Sequence, residues 1–178
     1  QGLPIGKESA QQFHQAITEA MRTSDFSAQV SIKSVDDLAE ARLFLTKDRQ
    51  AGFAIMPDGD IVSVFNAKGS KHKHVSYALV QLAVEQGGKR LDAFDTFLPG
   101  IYSALGFKPV ARVRWRVEFA PPNWNKETYT KFNHGEPDVV LMVHDPTYMG
   151  PHTGGTLYET YEEAAAAQAR ALEHKGTP

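Results

Sequence analysis

The stretch from Leu91 to Phe119 constrains the fold of this chain more than any other part of it. Leu91 to Phe94 has the length and the apolar character of a buried strand. Pro99 suits the first turn of a helix, and Gly106 suits a helix exit. From residue 109 to residue 119, apolar residues occupy every second position, which is the period of a strand. The stretch therefore predicts a strand, a short helix and a second strand in close succession.

Two helices and a short strand are predicted in the first fifty residues. Apolar residues recur at helical spacing from residue 8 to residue 22, which predicts an amphipathic helix. Residues 28–33 alternate weakly and indicate a short strand. Ser34 has the character of an N-cap residue, and the apolar positions after it predict a second helix over residues 35–50.

A hairpin and a third helix follow. The apolar runs 52–56 and 61–66 flank Pro57-Asp58-Gly59-Asp60, whose residues supply the backbone angles of a tight turn. Helical spacing then recurs over residues 75–86, and the pair Gly87-Gly88 ends the helix.

The last third of the chain is predicted to contain a long loop, a final strand and a terminal helix. Residues 120–137 form a loop of unusual length, and residues 139–143 form the last buried strand. A linker then leads to an alanine-rich helix over residues 160–174. These patterns predict one domain over residues 1–146 and an appendage over residues 147–178.

Composition excludes several classes of protein. The chain has 178 residues, enough for one domain with a proper core, and its formal net charge of −2 gives no overall attraction to nucleic acid or membrane. The absence of cysteine excludes disulfides and thiolate catalysis, and the histidines show no metal-ligand spacing. No apolar run approaches the roughly 20 residues of a membrane span, and no signal-peptide pattern opens the chain.

The unit that carries Tyr102, Gly106 and Phe107 resembles the acyl-CoA-binding half of GNAT-type N-acetyltransferases. With Pro137–Met142, it is most similar to poorly characterised GNAT-like proteins of bacteriophages and mobile elements. The resemblance implies an α/β (α+β) fold, in which a central mixed, largely antiparallel sheet is splayed around a central helix. It also implies a protein of the cytoplasm, the host cytoplasm if phage-encoded.

The resemblance implies acetyl-CoA as the acyl donor and CoA as the product. The pyrophosphate of CoA would lie at the N-terminus of the central helix, where backbone N–H groups attract anions. In this chain His74 and Ser76 replace a glycine and a small residue of the family loop, while lysines supply positive charge. The residues implied in cofactor binding are Phe65, Asn66, Lys71, Lys73, His74, Val75, Ser76 and Asp95.

The family resemblance implies that Tyr102 is the catalytic residue. A tyrosine at this place in the family protonates the leaving CoA thiolate, and a hydroxyl in an apolar cleft suits that transfer. No general base stands out. Polarity alone leaves four candidates open, namely Asp92, Glu118, His134 and His144.

The sequence leaves three functions open. The first is an acetyl-CoA-dependent N-acetyltransferase whose amine acceptor, a small molecule or a protein, cannot be read from the residues. The second is a GNAT-like binding or regulatory module that has lost acetyl transfer, because its phosphate loop departs from the family pattern. The third is a nucleic-acid binder that uses the basic stretch Lys68–His74, although such charge runs are usually solvated loops.

Two further features have two interpretations each. The arginines at positions 112, 114 and 116 share one face of the predicted strand, which is either its solvated side or a surface that receives an anionic ligand. Trp124 lies in the long loop, where it either anchors the loop to the core or lines a substrate pocket.

Overall fold

The computed structural model divides the chain into two compact units, Gln1–Gly88 and Lys89–Pro178, each with its own sheet. The structure describes residues 1–22, 24, 27–67, 75–121 and 123–175. The predicted phosphate-loop residues Lys71, Lys73 and His74 lie outside the described residues, as does the rest of the basic stretch.

The described residues of the first unit form three helices: α1 (Lys7–Met21), α2 (Val35–Leu38) and α3 (Val75–Glu85). Helix α1 confirms the prediction from periodicity, since Phe13 and Ile17 on its apolar face are fully buried. Helix α3 confirms the third predicted helix, and the chain leaves it through Gly87 at a φ of 101°.

Three antiparallel strands form the sheet of the first unit, in the order β1 (Arg42–Leu45), β2 (Ala51–Ile55) and β3 (Ile61–Asn66). The predicted hairpin between β2 and β3 is confirmed. Its turn is closed by a hydrogen bond from the Asp60 N–H to the Asp58 carboxylate at 3.0 Å, and Gly59 takes a φ of 87°.

Strand β3 contains a β-bulge. Ala54 pairs with Val62 and Gly52 pairs with Phe65, so β3 advances three residues while β2 advances two. Ser63, which lies in the bulge, has a φ of 58°, a conformation that residues other than glycine rarely adopt. The hydroxyl of Ser63 donates a hydrogen bond to the Ser31 carbonyl, which ties the bulge to the segment before α2.

Two predictions for the first unit are wrong. Residues 28–33 form no strand; Ser27–Gln29 is a 3-10 turn, and the Val30 N–H bonds locally to the Ser27 carbonyl at 3.0 Å. The second helix ends at Leu38 instead of residue 50, although Ser34 caps it as predicted. The apolar residues beyond it fit a strand equally well, because Leu43 and Leu45 are two positions apart and both are buried.

In the second unit, the residues that the structure describes form four strands and two helices. In chain order they are β4 (Arg90–Phe94), α4 (Leu98–Ala104), β5 (Phe107–Val113), β6 (Val139–His144), β7 (Thr156–Tyr158) and α5 (Tyr161–Lys175). The sheet order is β4-β6-β5-β7, with β7 parallel to β5 and the other pairs antiparallel. The predicted α/β class with mixed, largely antiparallel strands is therefore confirmed, and the strands form two sheets.

Two strand predictions for the second unit need correction. The strand predicted over residues 109–119 ends at Val113, because its partner β6 begins opposite, at Val139, and no other described strand pairs with the residues that follow. Val117, assigned to the buried face, lies in a 3-10 turn and is 74% exposed. Strand β6 is not the last one, since β7 forms within the predicted linker. Gly155 allows this approach: its φ is 105° and a Cβ there would lie 3.3 Å from the Ala111 backbone.

Helix α5 confirms the predicted terminal helix and packs against β5 and β6 of its own unit. Ala164 is fully buried in a cluster with Ala111 and Leu141. The buried amide of Gln168 donates hydrogen bonds to the carbonyls of Leu91 at 3.0 Å and Met142 at 2.9 Å, which are paired residues of β4 and β6. The division at residue 146 remains a prediction.

Candidate functional site

Tyr102 lies on α4, the short helix between β4 and β5. Its side chain is 7% exposed and its ring meets Phe107 edge-on, with 6.3 Å between the ring centroids. Burial removes the phenol from water and raises the pKa of Tyr102 from 10.0 to about 12. A tyrosine hydroxyl is protonated at neutral pH in any case, and the raised pKa makes this one a weaker acid.

The exit from α4 is built around Gly106. Its φ is 91°, and a Cβ at this position would lie 3.2 Å from the Asp145 carbonyl oxygen. The Asp145 N–H donates to the Gly106 carbonyl at 2.7 Å, which joins the helix exit to the end of β6. This turn sets the direction in which Phe107 enters the sheet beneath Tyr102.

The structure distinguishes the four candidate bases by their surroundings. His144 shares a neighbour with Tyr102, since its ring packs edge-on against Phe107 at 5.2 Å between centroids. Asp92 accepts a hydrogen bond from the Tyr161 hydroxyl at 2.6 Å. Glu118 and His134 are exposed, each in a 3-10 turn of the segment between β5 and β6. His144 is thus the candidate base whose ring contacts a residue that the Tyr102 ring also contacts.

Asp95, predicted to bind the cofactor, belongs to an ion-pair cluster. Its Oδ2 accepts a hydrogen bond from Arg112 at 2.7 Å, and Arg112 also contacts Asp138 at 3.3 Å and the Gly154 carbonyl at 3.3 Å. The Asp95 N–H bonds to the Asp138 carbonyl at 2.7 Å. The Oδ1 atom of Asp95 has no partner in the described part of the chain and can accept one more hydrogen bond.

The predicted cofactor residues of the first unit lie at the end of β3 and the start of α3. Phe65 is buried and packs edge-on against Phe13 at 5.7 Å between ring centroids, so only its backbone is available to a ligand. Asn66 is the last residue of β3 and pairs with Ala51. Val75 and Ser76 begin α3 as predicted.

The arginine face divides into one partly buried and two exposed side chains. Arg112 is 13% exposed and ion-paired, so the prediction that it lies on a solvated face is wrong. Arg114 and Arg116 are exposed beyond the end of β5, and Arg116 donates to the Glu159 carbonyl at 2.7 Å. The partners of Arg112 are 17 and 26 residues away along the chain, so local periodicity could not identify them.

Trp124 anchors the long loop, which confirms one of its two interpretations. Its ring stacks on Tyr129 at 4.2 Å and contacts Phe94 at 4.8 Å, while its indole N–H donates to the Gly135 carbonyl at 2.9 Å.

Sequence reasoning missed the bulge at Ser63. Within its own unit β3 is an edge strand, with β2 on one side only. A bulge in an edge strand bends the chain and leaves backbone groups without strand partners, which suits the binding of an extended ligand. A serine between valines on an apolar strand was the only signal in the sequence, and it is a weak one.

The described residues show no cluster of three or more histidine and carboxylate side chains that could hold a metal ion. None of the helices in the described part of the chain has the length and apolar character needed to cross a membrane.

Comparisons with known proteins place few constraints on this chain. No family model matches it, and no curated protein matches it. Among solved structures it is similar to the crystal structure of Rv2747 from Mycobacterium tuberculosis in complex with CoA and NLQ, with a TM-score of 0.41 and 12% identity. That match covers 80% of this chain and 98% of the other. At this TM-score the likeness does not by itself establish a shared fold.

Proposed function

We propose that this protein is an acetyl-CoA-dependent N-acetyltransferase that acts on an amine not yet identified. The observation that carries the proposal is the position of Tyr102, which is buried on the helix between β4 and β5. The family resemblance of this strand–helix–strand unit supports it. The same resemblance carries the proposed phage or mobile-element origin and the cytoplasmic location.

In the proposed reaction an amine nitrogen forms a bond to the acetyl carbon while the carbon–sulfur bond breaks. Tyr102 gives its proton to the departing sulfur, and the amine gives up a proton to a base or to water. His144 is the base candidate that we favour, because it packs on the same phenylalanine as Tyr102. A phenol with a pKa of about 12 is a weak acid, so direct contact between its hydroxyl and the sulfur is essential to this proposal.

The proposed cofactor site begins at the bulged strand β3. Strand β3 lies at the edge of its sheet, and we place the extended pantetheine arm beside its backbone at Phe65 and Asn66, as the resemblance implies. The phosphates would then be held by Lys71, Lys73, His74, Val75 and Ser76 where α3 begins, since N–H groups at a helix N-terminus favour anions. Asp95 enters the proposal through its available Oδ1, which would accept a hydrogen bond from the cofactor.

A second candidate function is a binding module without acetyl transfer. Two observations favour it: Tyr102 is only 7% exposed, and Oδ2 of Asp95 is already engaged by Arg112. If the Tyr102 hydroxyl cannot reach the thioester sulfur, the protein would bind CoA, or a macromolecule, and would not catalyse acetyl transfer.

Calorimetric titration with acetyl-CoA and CoA tests both candidates, followed by an acetylation assay over a panel of amines. We expect micromolar binding that is lost in the Lys71→Glu, Lys73→Glu double variant. In the Tyr102→Phe variant we expect kcat to fall by roughly 100-fold while acetyl-CoA affinity is kept. Binding without any acetylation would favour the module, and absence of binding at millimolar ligand would rule out the enzyme.

A further inference from the structure

The first unit contains a cleft that the proposed acetyl-transfer site does not use. It has a volume of about 440 Å³, within the size range of small-molecule sites. It is lined by Ala16 and Ala20 of α1, and Ala67 adds a third small apolar residue. The turn between β1 and β2, residues 48–50, also lines it. Three alanines therefore leave space beside a polar turn.

Arg49, in this turn, has an unusual backbone conformation. Its φ is 60°, in the left-handed region that glycine, asparagine and aspartate adopt most readily. The Arg49 N–H closes the turn with the Thr46 carbonyl at 2.9 Å. A long cationic side chain at a position where glycine would fold more easily suggests that the side chain itself is needed.

Arg49 supplies a positive charge to the cleft, and it makes no ion pair in the described part of the chain. The two carboxylates that line the cleft are already engaged. Glu19 is bridged to Arg22 at 2.6 Å, and the Asp48 carboxylate accepts hydrogen bonds from the Thr46 hydroxyl at 2.7 Å and the Gln50 N–H at 3.1 Å. The guanidinium can therefore bind an anionic group of a ligand.

We propose that this cleft binds a small organic monocarboxylate. The ligand's carboxylate would meet the Arg49 guanidinium, whose planar fork of N–H donors matches carboxylate geometry. Its aliphatic part would lie on the alanines of α1. The lining of this cleft includes none of the residues that the proposed acetyl transfer uses, so each proposal can fail without the other.

Charge at the cleft favours a monoanion over a phosphate dianion. Glu19 and Asp48 line the same cleft, and their negative charges oppose a ligand that carries two. A phosphate monoester carries between one and two negative charges near pH 7, whereas an aliphatic carboxylate carries one. Hexanoate and butyl phosphate are therefore suitable probes of the same guanidinium with different charge.

The test is an NMR titration of the whole chain with hexanoate, hexanamide and butyl phosphate, repeated on three variants. Arg49→Gln removes the charge. Arg49→Gly removes the charge and also the strain of the left-handed conformation, and Lys47→Gln is the matched control, a lysine of the same turn that does not line the cleft. The readout is the shift of backbone amide signals at Ala20, Gln50 and Ala67, together with the melting temperature.

We expect hexanoate to shift these signals and to bind at least tenfold more tightly than hexanamide or butyl phosphate. Arg49→Gln and Arg49→Gly should each weaken hexanoate binding by roughly tenfold or more, while Arg49→Gly melts at a higher temperature than Arg49→Gln. Lys47→Gln should bind hexanoate as the natural chain does. The proposal is overturned if no hexanoate binding is seen at about 10 mM, if hexanamide or butyl phosphate binds as well, or if Lys47→Gln loses as much affinity as Arg49→Gln.

Discussion

Burial decides the chemistry of Tyr102, the residue on which the proposed function depends. A phenol in water titrates near 10.0, whereas the apolar surroundings of Tyr102 raise its pKa to about 12. The charged phenolate is disfavoured in the folded state because it is removed from water there, whereas in the unfolded chain water solvates it. The folded protein therefore holds on to this proton more strongly than the unfolded chain does.

The first prediction is a loss of stability in alkali. Below pH 10 Tyr102 is protonated in both states, and the stabilising effect of its raised pKa is fully present. As the pH rises from 10 to 12 the unfolded chain releases the proton first, so roughly 2 to 3 kcal/mol of unfolding free energy is lost. Denaturant unfolding of the natural chain and of Tyr102→Phe, measured between pH 9 and pH 12, should show a shallower decline in the variant. Parallel declines would show that Tyr102 is not desolvated.

Ser63 combines a strained backbone with a buried hydrogen bond, and two substitutions separate these contributions. Ser63→Ala keeps the left-handed φ of 58° and loses the bond to Ser31, so we expect it to cost about 1 to 2 kcal/mol. Ser63→Gly loses the same bond but relieves strain worth about 1 kcal/mol. Chemical denaturation should therefore rank Ser63→Gly above Ser63→Ala. The reverse order would mean that the bulge does not hold this conformation in solution.

At the scale of elements, Arg112 joins parts of the chain that are distant in sequence. It lies on β5, and its guanidinium contacts Asp95 after β4, Asp138 before β6 and the Gly154 carbonyl before β7. The positive charge of Arg112 offsets the repulsion between the partly buried carboxylates of Asp95 and Asp138. This cluster lies where β4 ends and where β6 and β7 begin.

Replacement of Arg112 should destabilise the second unit. We expect Arg112→Met to lower the free energy of unfolding by about 1 to 3 kcal/mol, because it leaves two neighbouring carboxylates without their common partner. Arg114→Met is the matched control, since that exposed side chain lies two residues further along and should change stability by less than about 0.5 kcal/mol. Equal effects of the two substitutions would contradict the role assigned to the cluster.

Elements with local signals could be predicted from the sequence, and those that depend on distant partners could not. The repeating apolar face of α1 and the Asp58-Gly59 turn are encoded within a few residues, and both were predicted. Strand β1 was predicted as part of a helix because Leu38, Ala41 and Leu45 recur at helical spacing, whereas pairing with β2 makes the segment a strand. Strand β7 has three residues and exists only because β5 offers a parallel edge.

The residues of the candidate site also divide into those with local signals in the sequence and those that depend on distant partners. Tyr102 and Gly106 could be predicted because they lie within one strand–helix–strand unit whose pattern is local. The pairing of Asp95 with Arg112 and the bulge at Ser63 depend on the register between strands, which no single stretch of sequence encodes.

At the scale of the whole molecule, the question is whether residues 147–175 belong to the core of the second unit. Ala164 is fully buried in that unit's cluster, and Gln168 provides hydrogen bonds to two strand carbonyls in its interior. Gly155 brings β7 against the backbone of Ala111. Removal of this segment would expose apolar surface and leave two buried carbonyls without these donors.

We therefore expect a chain that ends at Pro146 to lose protection against hydrogen exchange in β5 and β6. Amides of β2, in the first unit, serve as the internal reference within the same sample. The full chain with Gln168→Leu isolates the hydrogen bonds from the packing, and it should show a smaller loss of protection, centred on Leu91 and Met142. If β5 and β6 keep their full protection without residues 147–178, the segment is an appendage and the predicted boundary at residue 146 is correct.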